Sequence, residues 1–538
     1  MSVFRQFFLG LSGLVLAEGL AMCQQDDSGA ALRATCEQFV VSEPGPGLSL
    51  AIQYGSADPV FYQCGSANLE TERPISADTP FHLGSLTKQF VAFAVLQVAR
   101  DGQIEMDAPI DRYLGGFARR DVPTVSDLLH HASGFYEHWN QWSLSDAEAE
   151  SLEDIVDLAR AQEYSNFEPG TGYAYTNLNY VLLAAILERV ERRALPQILR
   201  ERVFTPLGMN QSGFLNETGT MIAGRADGYS GAEAEQVDYV VSSILGDGGL
   251  YASARDLLLW QQEWRRPRLD DIRSERLAVQ TSSAGMANRY AAGVQIAEVP
   301  GGRLLHHGGA NRGASTWMGY FEPADLRVVV LANSDTFNAQ AIGLHIIEAL
   351  EQIEPDLRSA APTSHQIDRD LGLYAGSLQG QPFLLRVLAN GGGAHVGALG
   401  GVMRDYRLNE SELYERVDEP RLEVRISSSW SLEFFFMGQP FDTLFRLPGD
   451  RVVDADIAGC WASGSLPGAQ FRVEHVEAGY TLSFAGNNPE LLEAPAPGVW
   501  LAREQGVFFT VTEEGFLWAT RAGIREILFE PCVAAPPR

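Results

Sequence analysis

The chain has 538 residues, 45% of them hydrophobic, which is enough for about two to four domains with separate cores and too much for one. Its 69 acidic against 40 basic residues give a formal net charge of -29, spread along the chain rather than gathered in a tail. That describes a solvated acidic surface and makes nucleic acid and anionic membrane poor partners. None of the five cysteines (Cys23, Cys36, Cys64, Cys460, Cys532) has metal-ligand spacing, so no metal or other cofactor is implied.

Residues 1–28 read as a leader. Arg5 precedes an apolar stretch from Phe7 to Leu20, broken by Glu18, which resembles a secretory signal peptide. Gly19-Leu20-Ala21 offers a small-x-small cleavage site, whereas Met22 before Cys23 makes a poor lipobox and disfavours lipid anchoring. The expectation is a periplasmic or secreted protein; a cytoplasmic start with an amphipathic helix is the alternative. No other stretch is long and apolar enough to span a bilayer.

Residues 29–40 are expected to be helical, followed by strands at Leu48–Tyr54 and Pro59–Gly65 joined by a hairpin at Gly55-Ser56-Ala57-Asp58. Leu86, Phe90, Val91, Phe93 and Leu96 have helical spacing. Ile104 to Leu114 follows, and Pro123 to Gly134 reads as a capped helix ending at the glycine. Helical periodicity covers 151–161 and 178–206. Strand patterns return at Arg303–His307, Ser315–Phe321 and Leu326–Ala332, before a closing helix at Ala339–Leu350. Sheet ends surrounding a helical insertion predict an α/β sandwich, an antiparallel sheet with a helical subdomain, over residues 29–360. Beyond that lie short alternating strands and a weak repeat, with Asp370-Leu371-Gly372-Leu373-Tyr374-Ala375 and Asp456-Ile457-Ala458-Gly459-Cys460-Trp461-Ala462 opening stretches that close on Leu444-Phe445 and Leu528-Phe529. Two small antiparallel β-barrels are expected, at 361–449 and 450–538. Cys460 and Cys532 fall where the first and last strands of the second would meet, and are expected to pair.

Lys88 is the only lysine in the chain. Every other fixed positive side chain is arginine, which cannot give up its proton, so position 88 points to a need for an amine. Ser85 stands three residues earlier, on the same helical face and at the helix start, where a neutral amine can take the hydroxyl proton. The isolated pair leaves a structural Lys88 open. Glu168 to Asn177 supplies a loop with Tyr175 and Asn177 two apart, either an ordinary turn with an aromatic plug or a proton relay beside a cation. His306-His307-Gly308-Gly309 follows a strand and can present main-chain N–H groups where no side chain blocks a substrate.

Together, Ser85-x-x-Lys88, Tyr175-x-Asn177 and His306-x-Gly308 resemble the three motifs of the penicillin-recognising serine hydrolases, the class C β-lactamase-like group. Leu128 to Gly134 and Gly248 to Ser253 support the likeness, which spans roughly residues 35–355. The resemblance implies Ser85 as acylated nucleophile, Lys88 as its base and Tyr175 as proton relay, with Asn177 orienting substrate, His306 and Gly308 lining the strand, and the N–H groups of Ser85 and Gly309 forming the oxyanion hole. Two barrels after such a domain look most like the D-stereospecific aminopeptidases, in which a loop from the last barrel restricts the site to short substrates with a free amino end. Its counterpart here would lie within Gly486 to Trp500, which contains Asn487, Asn488, Glu490 and Glu493. Carboxypeptidases and β-lactamases of the group usually carry lysine where His306 stands. A mostly neutral histidine suits an amide, an ester or an N-terminally free peptide better than a carboxylate-ended substrate. The implied activity is release of N-terminal D-residues from short peptides or amides. The alternatives are an esterase or D-amino-acid amidase, a penicillin-binding DD-carboxypeptidase or β-lactamase, and a silent binding module; a homodimer is left open.

Overall fold

The computed structural model describes residues 28–40, 45–136, 151–162, 165, 167–215, 222–231, 233–237, 244–269, 272–279, 290–299 and 302–351, and beyond these the strands of residues 372–531. Residues 1–27 of the expected leader and Cys532 lie outside the described residues, as do Asn487 and Asn488. Two compact units are present: one built from residues 1–104, 187–278 and 289–355, the other from 105–186, 279–288 and 356–538.

The first unit is built on a six-stranded antiparallel sheet. Its strands are β1 (Leu48–Tyr54), β2 (Val60–Cys64), β3 (Gln295–Val299), β4 (Gly302–Asn311), β5 (Ala314–Phe321) and β6 (Leu326–Ala332), in the order β3-β4-β5-β6-β1-β2. The hairpin expected at Gly55 to Asp58 turns where Ala57 N–H donates to Tyr54 O at 2.9 Å. β1 pairs with β6, Leu50 opposite Val330, so chain segments nearly 300 residues apart share the middle of the sheet. Every residue of β6 is buried, the signature of a strand covered on both faces. Helix 28–39 is tied to β2 by a Cys36–Cys64 disulfide that the sequence reading did not anticipate.

The helix carrying Lys88, α1 (Thr87–Arg100), is buried at twelve consecutive positions from Thr87 to Val98. An aromatic nest fixes it. The Phe90 ring stacks on Trp260 with centroids 4.5 Å apart, and Phe93 meets the same indole edge-on at 5.2 Å. Such pairs add about 0.5–1.5 kcal/mol each beyond the area they bury. Trp260 belongs to a helix the sequence reading missed, Ala254–Arg265, and its Nε1–H donates to Gln89 Oε1 at 3.1 Å.

In the second unit the helix expected to end at Gly134 spans only Val125–Leu129, with a Thr124/Asp127 capping box. It stops early because His131 takes a positive φ of 55°. The helical stretch expected at 178–206, of which residues from 187 on belong to the first unit, is interrupted: α2 covers Asn177–Glu191, and Leu195–Leu199 begins a separate turn. Among the later strands, Gly372–Leu378 to Gln439–Arg446 form an eight-stranded order that closes on itself. The strands from Val452 to Pro531 trace a ten-stranded sheet in which Gly459–Ala462 pairs with Ile524–Pro531. The two ends of that order, Glu490–Leu491 and Glu493–Ala496, are separated along the chain by Leu492 alone. Glu490 and Glu493, expected in a loop, therefore lie in strands.

Candidate active site

Ser85 sits in a 3-10 turn, Gly84–Leu86, that runs directly into α1. The segment before it, Phe81–His82, pairs with Leu250–Ala252, which brings the Asp247 carbonyl over the start of the helix. Lys88 Nζ lies 2.9 Å from Ser85 Oγ and donates to Asp247 O, also at 2.9 Å. The lysine is 0% exposed. One helical turn thus places a hydroxyl and an amine within proton-transfer distance, the amine buried and the hydroxyl partly exposed.

Two glycines permit this arrangement. Gly84 has φ +53°, and a Cβ there would stand 2.8 Å from Ala310 N. At Gly309 a Cβ would reach within 2.0 Å of Leu83 O. The turn and β4 are pressed together by backbone, with Thr316 Oγ1 also donating to Leu83 O at 2.8 Å.

β4 also decides which histidine of the pair faces the site, and here the sequence expectation is corrected. Successive residues of a strand point to opposite faces. Gly309 faces the Ser85 turn, so His307 shares that face, and the lysine's charge acts on the His307 ring. His306 and Gly308 face the other way, toward the helix Ala339–Glu351. Trp317 Nε1–H donates to His306 Nδ1 at 3.2 Å, the Trp317 ring presses on Gly343, and a Cβ at Gly308 would meet Gln340. His306 is a rear-face core residue, 1% exposed.

His307 is neutral. Burial pushes its imidazole down from 6.5 to about 3; its bond to Gly308 O works against that, and the Lys88 charge adds to it. Its Nδ1 lies 2.5 Å from the Gly308 carbonyl oxygen, and its Nε2 lies 2.9 Å from Tyr290 Oη.

Tyr175 and Asn177 belong to the second unit. Tyr175 is half-buried, and Asn177 opens α2. The segment is held by His131, which the sequence reading passed over as part of a supporting stretch. The His131 ring lies against Tyr175, centroids 4.2 Å apart. Its Nδ1 accepts from Thr176 N–H at 3.3 Å and from the Asn179 side-chain amide at 3.2 Å, while His131 O accepts from Ala174 N–H. Ser133 Oγ donates to Asn179 Oδ1 at 2.7 Å. A histidine adjoining a glycine-ended turn was the available signal, but nothing in spacing links it to a loop more than forty residues on.

Among known proteins, the Beta-lactamase family profile matches residues 32–351. A D-aminopeptidase from Brucella anthropi is 31% identical over 288 residues, covering 52% of this chain and 55% of that one. One from Gluconobacter oxydans is 29% identical over 365 residues, covering 65% and 68%. The chain thus spans about half the length of the Brucella anthropi relative it matches. Two solved structures share the fold: SurE, with TM-score 0.58 at 22% identity over 80% of this chain and all of the other, and a D-amino acid amidase from Ochrobactrum anthropi, with TM-score 0.52 at 23% identity over 61% and 99%. Sequence and architecture agree, and the chain belongs to the Beta-lactamase family of serine hydrolases.

Proposed function

We propose that this protein is a D-stereospecific aminopeptidase that releases N-terminal D-residues from short peptides or amides through an acyl-enzyme on Ser85. The observation that carries the reading is the 2.9 Å contact of Lys88 Nζ with Ser85 Oγ in a chain related to D-aminopeptidases. Ser85 Oγ attacks the scissile carbonyl carbon as its proton passes to Lys88. The N–H groups of Ser85 and Gly309 receive the oxyanion, and the C–N bond then breaks, the departing amine taking a proton relayed through Tyr175 while Asn177 orients the substrate. Water cleaves the resulting ester, releasing the acid and restoring the hydroxyl. His307 takes the place in this scheme first given to His306.

The neutral His307 favours D-aminopeptidase over carboxypeptidase or β-lactamase, because the histidine itself supplies no fixed positive charge to bind a substrate carboxylate. We also read the two strand arrays after residue 372 as small barrels, and the Cys36–Cys64 disulfide as fitting an exported protein in an oxidising compartment. D-alaninamide, a short-chain ester and a chromogenic cephalosporin, assayed side by side, test the assignment. Preferential turnover of the amide, with its L-enantiomer refused, is the expected result. Faster turnover of the ester or the cephalosporin, or equal use of both enantiomers, overturns it.

A further inference from the structure

His307 forms a buried pair with Tyr290, a residue that the acyl-transfer scheme does not use. Tyr290 is 1% exposed and its ring meets the imidazole edge-on, centroids 5.6 Å apart. The hydrogen-bond directions follow from chemistry. A carbonyl oxygen only accepts, so the 2.5 Å contact of His307 Nδ1 with Gly308 O requires the proton on Nδ1. In a neutral ring Nε2 then carries none and accepts from the Tyr290 hydroxyl at 2.9 Å. Both nitrogens are committed within the protein, one to the chain's own carbonyl and one to a phenol.

We propose that Tyr290 is a positioning and specificity residue: by donating to His307 Nε2 it locks the imidazole in its Nδ1–H form, so that His307 offers neither a positive charge nor an imidazole Nε2–H to a substrate carboxylate. The site then prefers amides over substrates with a carboxylate next to the scissile bond. This deepens the aminopeptidase reading and rests on it for its substrate classes, but the state of the ring is a property of the protein alone.

The test uses the full-length protein, and the variant is Tyr290→Phe, which keeps the ring and deletes the donor. Nitrogen-15 NMR of histidine-labelled protein, with the His307 signals assigned by their loss in His307→Gln, reads the tautomer directly. The wild type is expected to show a protonated Nδ1 and an unprotonated Nε2, and Tyr290→Phe an averaged or Nε2-protonated ring. In kinetics the variant's kcat/KM for a D-alanyl dipeptide with a free carboxylate, divided by that for D-alaninamide, is expected to rise roughly tenfold over wild type. A wild-type ring protonated on Nε2 overturns the proposal, and this arm stands even where the variant does not fold. So does a folded variant with an unchanged ratio. Failure of the aminopeptidase reading would instead appear as inactivity of the wild type on both substrates with the Nδ1–H ring intact.

Discussion

The Ser85 turn and the Tyr175 segment are both irregular backbone next to a helix start, yet they are held in different ways. Around Ser85 the closest approaches are main chain against main chain, with threonine hydroxyls adding bonds to the same backbone: Leu83 N–H donates to Leu250 O at 2.8 Å, Thr316 Oγ1 to Leu83 O and Thr87 Oγ1 to Gly84 O, and Gly84 and Gly309 have space for hydrogen only. Around Tyr175 the restraints converge on one side chain, His131, itself at a left-handed φ uncommon outside glycine. The first design resists loss of any single hydrogen bond but admits no added volume. The second tolerates volume better but depends on one ring's chemistry.

Three substitutions probe that contrast, and the largest effect is expected at the amine itself. Lys88→Arg keeps the charge and cannot act as base, so kcat/KM for D-alaninamide should fall by roughly 10³-fold or more with the folded state retained. A variant of near wild-type activity would remove Lys88 from the mechanism. Next comes volume. Gly309→Ala puts a methyl 2.0 Å from Leu83 O, and because that neighbour is backbone, the turn or the strand must move. Displacing a nucleophile by about 1 Å costs on the order of 10²-fold, so acylation of Ser85, followed by mass spectrometry, should slow by about that factor. Unchanged acylation would mean that the contact is slack. Smaller again is His131→Ala, which removes the acceptor for Thr176 N–H and Asn179 and the ring behind Tyr175. Roughly tenfold lower kcat with KM little changed is expected, since in the proposed mechanism this ring orients the proton relay rather than binding substrate. An effect larger than that of Gly309→Ala would reverse the ranking of the two regions.

The same contrast explains what was legible in the sequence. Ser85 and Lys88 are three residues apart, and local periodicity is what one sequence records best. The sheet strands showed themselves through β-branched runs such as Val328-Val329-Val330, although β3 went unnoticed. The choice between His306 and His307 is a matter of one residue of register, which flips the face, and adjacent histidines give no pattern to settle it. The helix Ala254–Arg265 was missed because Gln261 and Glu263 interrupt its apolar stripe. Both are buried to serve main chain, Gln261 donating to Gly319 O and Glu263 accepting from Arg268 and Leu269 N–H. His131 and Tyr175, like Cys36 and Cys64, meet only through tertiary structure.

The last prediction leaves activity at pH 7 aside and concerns only how stability depends on pH. With His307 lowered from 6.5 to about 3, the folded protein refuses a proton that the unfolded chain accepts. Between those values the unfolded state binds more protons, so the contribution of His307 to stability is complete above about pH 6.5 and is lost as pH falls through the window, by up to about 1.4 kcal/mol per pH unit. Below about pH 3 both states carry the proton and the loss stops. Carboxylates titrate in the lower part of the window too, so the informative quantity is a difference between two proteins. His307→Gln cannot bind the proton in either state, and its unfolding midpoint, below that of wild type at pH 7, should approach wild type as the pH is lowered from 6.5 to 5. A gap that stays constant or widens would place the imidazole in contact with solvent, and the backbone-clamped side of the site would be wetter than its packing implies.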